Sequence, residues 1–139
     1  VPRRVFVDTA YLVALLDPRD RLHASALRLT DEFEDEHAQL VTTDAVMTEF
    51  GNYFAKSPLR ATAGDWVEAL RRDGGWDVAA VTPALQRQGE ARYRKHADKG
   101  WSVTDCISME LMLERKLREV ATSDVHFEQA GFVVLLRQP

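Results

Sequence analysis

Short apolar runs alternate along this chain with longer stretches whose apolar residues recur every three or four positions. Residues 3–7 (RRVFV) are β-branched and aromatic and predict a buried strand. Asp8 or Thr9 then caps a helix over residues 10–16, apolar nearly all round, which Pro18 ends. Asp20 opens a second helix, with His23, Ala26, Leu27 and Phe33 as a partial stripe. Residues 38–41 (AQLV) predict the next strand, followed by the cap residues Thr42, Thr43 and Asp44. Val46, Met47, Phe50, Tyr53 and Phe54 then fall at helical spacing. Ser57 and Pro58 restart the chain into a helix with Leu59, Ala63, Trp66 and Leu70 inward, which Gly74 and Gly75 end. These two helices predict a hairpin that projects from the sheet.

The second half repeats the alternation. Residues 76–81 predict a third strand, and Thr82 with Pro83 starts a helix to about residue 97 in the favoured cap-then-proline order. After a break at Gly100 and Trp101, Ser102 and Asp105 match an S-x-x-D capping box before the helical run 107–117. Residues 119–122, 124–130 and 132–136 predict strand, short helix and strand. No hairpin signal such as Asn-Gly separates any two strands, so right-handed crossovers predict a parallel, doubly wound α/β sheet. In such sheets the ligand site lies beyond the carboxyl ends of the strands, where the strand order reverses.

Composition narrows the class. A chain of 139 residues, 45% hydrophobic and 29% charged, is sized and composed for one globular domain over residues 1–139. It has no apolar run of membrane-spanning length and no secretory signal pattern, so a cytoplasmic protein is the expectation. The single Cys106 forms no internal disulfide and reads as a small apolar core residue. The net charge of −4 argues against a simple nucleic-acid-binding surface. Residues 55–100, however, carry 9 basic and 6 acidic groups, which makes the middle third the electropositive face.

The candidate chemistry lies in four acids: Asp8 (VFVDTA), Glu49 (TTDAVMTEF), Asp105 (SVTDCIS) and Asp124 (VATSDVHF). Asp8 and Asp124 follow predicted strands, Asp105 starts the helix leading into the fourth, and Glu49 lies on the helix after the second. One parallel sheet brings all four to the same end. A buried cluster of like charges is costly unless a divalent cation neutralises it. Carboxylates suit Mg²⁺ or Mn²⁺, which activate a water and stabilise the charge that develops on a phosphodiester. Each acid alone also fits a structural role: Asp8, Asp105 and Asp124 as helix caps, Glu49 as a solvent-facing helix residue. Rival chemistries lack their motifs. There is no G-x-x-x-x-G-K-[ST], no G-x-G-x-x-G and no G-x-S-x-G, and the histidines show no zinc spacing.

At this point VFVDTAYLVALLD, the helical Glu49, GWSVTDCIS and VATSDVHFEQAGF resemble the motifs of PIN domains. They are most similar to the VapC-like toxins of bacterial and archaeal toxin–antitoxin pairs. The resemblance spans essentially the whole chain. It implies a PIN-like α/β/α sandwich with a five-stranded parallel sheet, and Asp8, Glu49, Asp105 and Asp124 as an acidic quartet around Mg²⁺ or Mn²⁺. It further implies single-strand-selective endoribonuclease activity, homodimerisation and inhibition by a small antitoxin. By matching position, Asp8 and Asp105 are the firmest ligands, Glu49 completes the shell directly or through water, and Asp124 holds a second ion or its water. Thr9, Thr104 and Ser123 either support the site or cap helices, and His126 and Phe127 read as packing for the last turn. Arg87, Arg92, Arg94, Lys95 and Lys99 are candidate RNA phosphate contacts or, alternatively, a solvated helix face. Trp66, Tyr53 and Phe54 either receive an antitoxin or a second subunit, or belong to the core. A housekeeping RNA-processing PIN nuclease and a non-catalytic RNA- or protein-binding PIN module are the competing functions.

Overall fold

A computed structural model describes residues 2–138. Five strands, β1 (Arg4–Val7), β2 (Gln39–Thr43), β3 (Trp76–Ala79), β4 (Glu119–Ala121) and β5 (Val133–Val134), form one sheet in the order β3-β2-β1-β4-β5. Every pairing is parallel. Between them run α1 (Thr9–Leu16), α2 (His23–Asp35), α3 (Asp44–Tyr53), α4 (Arg60–Arg72), α5 (Pro83–Lys95), α6 (Val103–Glu114) and α7 (Val125–Gln129). Successive residues of a strand point to opposite faces, yet Val5, Phe6 and Val7 are all 0% exposed. Both faces of the central strand are therefore covered by helices, which is why VFV after the exposed Arg4 reads as a continuous apolar run. Among the described residues no helix is long and apolar enough to cross a membrane.

The elements fall where the pattern puts them, with ends displaced for local reasons. The helix expected from Asp20 begins at His23, because Asp20 Oδ1 accepts a hydrogen bond from the Leu22 amide (2.9 Å) and holds a turn instead. Thr42 belongs to β2 and ties it to β1 by donating to the Val7 carbonyl (2.8 Å), so only Thr43 acts as a cap, accepting from Val46 N. The run expected to reach residue 117 stops at Glu114. Lys116 takes a left-handed φ of 57° and Leu117 N returns to the Met112 carbonyl (2.8 Å). The last strand is confined to two residues, Val133 and Val134.

Helices α3 and α4 form the expected pair, joined by the Arg71–Asp44 ion pair (2.8 Å) and by stacking of Trp66 on Phe50. Only Ala63 of α4 is fully buried. Of the three aromatics in question, Phe54 is core, Trp66 is half-buried and Tyr53 is 62% exposed. Cys106 is buried on α6, and burial together with the neighbouring Asp105 pushes its thiol up from its ordinary range, consistent with a packing role.

Candidate active site

The strand order reverses between β1 and β4, so the connections leaving these neighbours diverge and open a cleft at their carboxyl ends. Val7 and Ala121 are register partners. The Asp8 amide donates to the Ala121 carbonyl, which carries the pairing one step past the last strand residue. Asp8 and Thr122 therefore emerge side by side, and Thr122 Oγ1 donates to Asp8 Oδ2 at 2.7 Å. Thr122 Oγ1 also accepts from the Asp124 amide (3.1 Å), so one buried hydroxyl bridges two of the acids.

Asp8 stands at the N-cap position of α1, but its side chain makes no cap hydrogen bond. The carboxyl is 4% exposed and its Oδ1 has no hydrogen-bond partner. Burial pushes its pKa up to about 7, the bond from Thr122 and the nearby Thr9 amide oppose this, and the charges of Asp105 and Glu49 raise it further. Capping therefore does not account for Asp8. Asp105 and Asp124 do cap their helices while also facing the cleft. Asp105 closes the capping box with Ser102, its Oδ2 accepting from Ser102 N and its amide donating to Ser102 Oγ. Asp124 Oδ1 accepts from His126 N (2.9 Å) at the start of α7. Glu49 reaches the cleft half-buried from α3.

Asp8, Glu49, Asp105 and Asp124 together line a pocket of about 290 Å³, with Thr9, Ser123, Asp20, Arg21 and Tyr53 among its other walls. Thr9 Oγ1 is buried there without a partner. Thr104 does not line it. The tightest donor set differs from the expected Asp8–Glu49–Asp105 grouping. Among the described residues, ligand atoms of Asp105, Asp124 and His126 lie within 4.8 Å of one another, and Asp8 and Glu49 belong to no such group of three. His126 Nδ1 sits 3.1 Å from Asp105 Oδ2 and 3.3 Å from Asp124 Oδ1. The imidazole expected only to pack the last turn thus faces the acids, while Phe127 is fully buried as expected.

A divalent cation fits these residues. A carboxylate oxygen buried without a partner, beside two further acids that raise its pKa, is costly as it stands. The pocket supplies carboxylate oxygens, the donors that hard cations take.

The candidate phosphate contacts divide. Arg92 is not a free cation, because its guanidinium is half-buried against Glu110 of α6. Lys99 lies 3.7 Å from Asp98, and Arg87, Arg94 and Lys95 are exposed. Arg94 borders a second opening of about 540 Å³ with Tyr93, His96, Trp101 and Ser102. Ser102 on the wall of this opening is hydrogen-bonded to Asp105 on the wall of the acidic pocket.

The PIN domain family model matches residues 5–133. Among solved structures, Mycobacterium tuberculosis VapC20, a sarcin–ricin loop cleaving toxin, is 25% identical with a TM-score of 0.83, over 93% of this chain and 96% of that one. VapBC2 from Rickettsia felis, bound to a DNA fragment from its promoter, is 10% identical with a TM-score of 0.67, over 94% and 96%. FitAcB from Neisseria gonorrhoeae is 16% identical with a TM-score of 0.64, also over 94% and 96%. These last two likenesses speak to the fold alone. No curated protein sequence matches significantly. The chain belongs to the PIN domain family, and within it is similar to the VapC toxins.

Proposed function

We propose that this chain is a metal-dependent endoribonuclease, the toxin of a VapBC-type toxin–antitoxin pair, acting in the cytoplasm as a single-domain protein. The observation that carries this reading is the partnerless Asp8 Oδ1, buried at the sheet's switch point in a pocket shared with Glu49, Asp105 and Asp124. The 25% identity to VapC20, itself an RNA-cleaving toxin, supports RNA as the substrate.

Asp8, Asp105, Asp124 and Glu49 are the residues that would hold Mg²⁺ or Mn²⁺. A bound cation would lower the pKa of a water near neutrality and neutralise the charge that develops on the phosphodiester. The chain's own work is positional. Thr122 fixes Asp8 Oδ2, which leaves Oδ1 buried without a hydrogen-bond partner. Glu49, half-buried and close enough for its charge to raise the Asp8 pKa, would complete the shell directly or through a water whose proton it could accept. A capping box holds Asp105 at the start of α6 and an N-cap bond holds Asp124 at the start of α7, where the unpaired amides favour anionic groups. Hydrolysis then joins the water oxygen to phosphorus as the bridging P–O bond breaks, and the departing oxygen takes up a proton.

Arg94, exposed beside the opening next to Asp105, is placed for a backbone phosphate of the RNA. Arg94→Glu is expected to raise KM several-fold, leave kcat nearly unchanged and flatten the salt dependence of RNA binding by about one unit of slope. Equal KM and salt slope for the two proteins would remove Arg94 from the interface. Arg87 and Lys95 are secondary candidates, and Arg92, spent on Glu110, is not one.

For the antitoxin, the candidate seat is a mainly apolar groove of about 510 Å³ walled by Tyr11, Leu15, Phe33, Leu40, Trp66 and Trp76. An amphipathic helix is the partner such a groove accepts. Homodimerisation, as the family resemblance implies, is part of the same reading.

The test is cleavage of a mixed single-stranded RNA pool by the partner-free protein in Mg²⁺ or Mn²⁺, beside a chelator control and Asp8→Asn. Cleavage that survives both controls would sink the mechanism. A wild-type protein that binds RNA without cutting it would make this a binding module.

A further inference from the structure

We infer that Asp105, Asp124 and His126 close on a single divalent cation through two carboxylate oxygens and one imidazole nitrogen. The imidazole makes the site prefer a first-row transition cation to Mg²⁺. The inference rests on the metal-dependent reading above and assigns to His126 a ligand role that the four-acid pattern does not contain.

The spacing is the first argument. Metal–donor distances of roughly 2.1 Å place neighbouring ligands of an octahedron roughly 3.0 Å apart. His126 Nδ1 lies 3.1 Å from Asp105 Oδ2 and 3.3 Å from Asp124 Oδ1, and all three donor atoms lie within 4.8 Å. Without an ion, His126 Nδ1 is hydrogen-bonded to Asp105 Oδ2, and Asp124 Oδ1 stands close enough to complete the triangle. An ion that replaces the ring proton needs only small adjustments to meet all three donors.

The second argument is the way the ring is held. Asp124 Oδ1 caps α7 by accepting from the His126 amide (2.9 Å), and Phe127 anchors the helix in the core at 0% exposure. Asp105 is fixed by its capping box on α6. All three donors therefore come from helix N-termini whose backbones are already ordered, so closing on an ion requires only small side-chain rotations.

Asp8 supplies an independent sign that the pocket takes a ligand. Its Oδ1 is buried without a partner in the same cavity as Asp105 and Asp124. An oxygen-only site suits Mg²⁺, which keeps its waters and gains little from imidazole. Replacing one oxygen by nitrogen favours transition cations, for which Mn²⁺ is the available paramagnetic probe.

The experiment is Mn²⁺ titration of the full chain, following free Mn²⁺ by electron paramagnetic resonance and bound Mn²⁺ by electron spin-echo modulation. The wild type should show ¹⁴N coupling from one directly bound imidazole, with Mg²⁺ a weak competitor. His126→Ala should abolish that coupling. It should also weaken Mn²⁺ by more than the roughly 10–100-fold that loss of a ligand's outer partner typically costs, and change Mg²⁺ affinity little. His126→Gln separates the roles, since its amide donates a hydrogen bond as the imidazole does. If His126 only positions the carboxylates, glutamine restores binding of both ions equally, and that result overturns the inference. So does bound Mn²⁺ without ¹⁴N coupling in the wild type, a measurement that needs no variant to fold. In either case, Mg²⁺-dependent RNA cleavage that continues leaves the proposed function intact, whereas a chain that binds neither ion loses both.

Discussion

Asp8→Asn is expected to make the metal-free protein more stable at pH 8 while abolishing RNA cleavage. The folded Asp8 carboxyl sits at about 7, against 3.8 for the free group, because burial penalises its charge and Asp105 and Glu49 add to the penalty. Between about pH 4 and 7 the folded chain therefore holds a proton that the unfolded chain has released. Stability contributed by the neutral acid is full below pH 4, falls as pH rises through that window, and is gone above 7. The whole difference is on the order of 4 kcal/mol. Asparagine has nearly the same shape, its carbonyl can accept from Thr122, and its amide can donate to a neighbouring acid. It should recover on the order of 2–3 kcal/mol at pH 8 and almost nothing at pH 4. Cleavage should fall roughly 10³-fold or more, since cation-based charge stabilisation supplies several kcal/mol of the barrier reduction. Thermal unfolding in chelator at the two pH values, together with the cleavage assay, checks both halves. A variant less stable than wild type at pH 8 would refute the account of Asp8 as a strained ligand awaiting a cation. Added Mn²⁺ should reverse the order by stabilising the wild type more than the variant.

The fold was legible because its signals are local and repeated. RRVFV, AQLV and the Thr82–Pro83 start each name an element from a handful of neighbours, and alternation without hairpin turns leaves a parallel sheet. What escaped were ends decided by a single backbone bond. Asp20 stops short of starting a helix because its carboxylate serves Leu22, and α6 ends where Lys116 turns left-handed. Neither residue type announces this, since aspartate caps helices as often as it holds turns.

For the site, the positions of the acids were legible and their tethers were not. Asp8 and Asp124 stand just past predicted strands and Asp105 in the first turn of a predicted helix, which is visible in the letters. Thr122 is 114 residues from Asp8, and only the pairing of β1 with β4 sets it beside that carboxylate. A threonine at a strand end otherwise looks like a strand residue. His126 follows Asp124 by two positions, and the signal was present in S-D-V-H, but its facing Asp105 depends on how α6 meets α7. Capping and catalysis had seemed alternatives for Asp105 and Asp124. In the structure both residues cap a helix and line the acidic pocket, so capping does not take them away from the proposed site. Arg92 shows the reverse case: a basic residue in a basic run, absorbed by a partner that the run does not contain.

The contact between α5 and α6 gives the sharpest structural test, because two substitutions of the same kind should change stability in opposite directions. In an exposed helix, Gly→Ala stabilises by up to about 1 kcal/mol by restricting the unfolded chain. Gly64 on α4 is such a position, with nothing within 4 Å of an added Cβ, so Gly64→Ala should raise the melting temperature. Gly89 on α5 is not. A Cβ there would lie 2.5 Å from Ile107 Cγ1 and 3.1 Å from the Ile107 N and Cα of α6. Ile107 is 3% exposed and β-branched, so its Cγ1 has no other easy rotamer, and the helix backbone behind it must move. Overpacking of this kind costs roughly 1–3 kcal/mol, more than the helix-propensity gain, so Gly89→Ala should lower stability by about 1–2 kcal/mol. That corresponds to a drop in melting temperature of several degrees for a chain of this size. The strain has a functional address, since α6 carries Asp105 two residues before Ile107. If α6 yields, the carboxylate shifts relative to Asp8, which is held from the sheet through Thr122. Gly89→Ala should then lose cleavage activity beyond its fraction unfolded. A Gly89→Ala protein as stable and active as wild type, beside a stabilised Gly64→Ala, would show that the two helices have room to part without disturbing the acids.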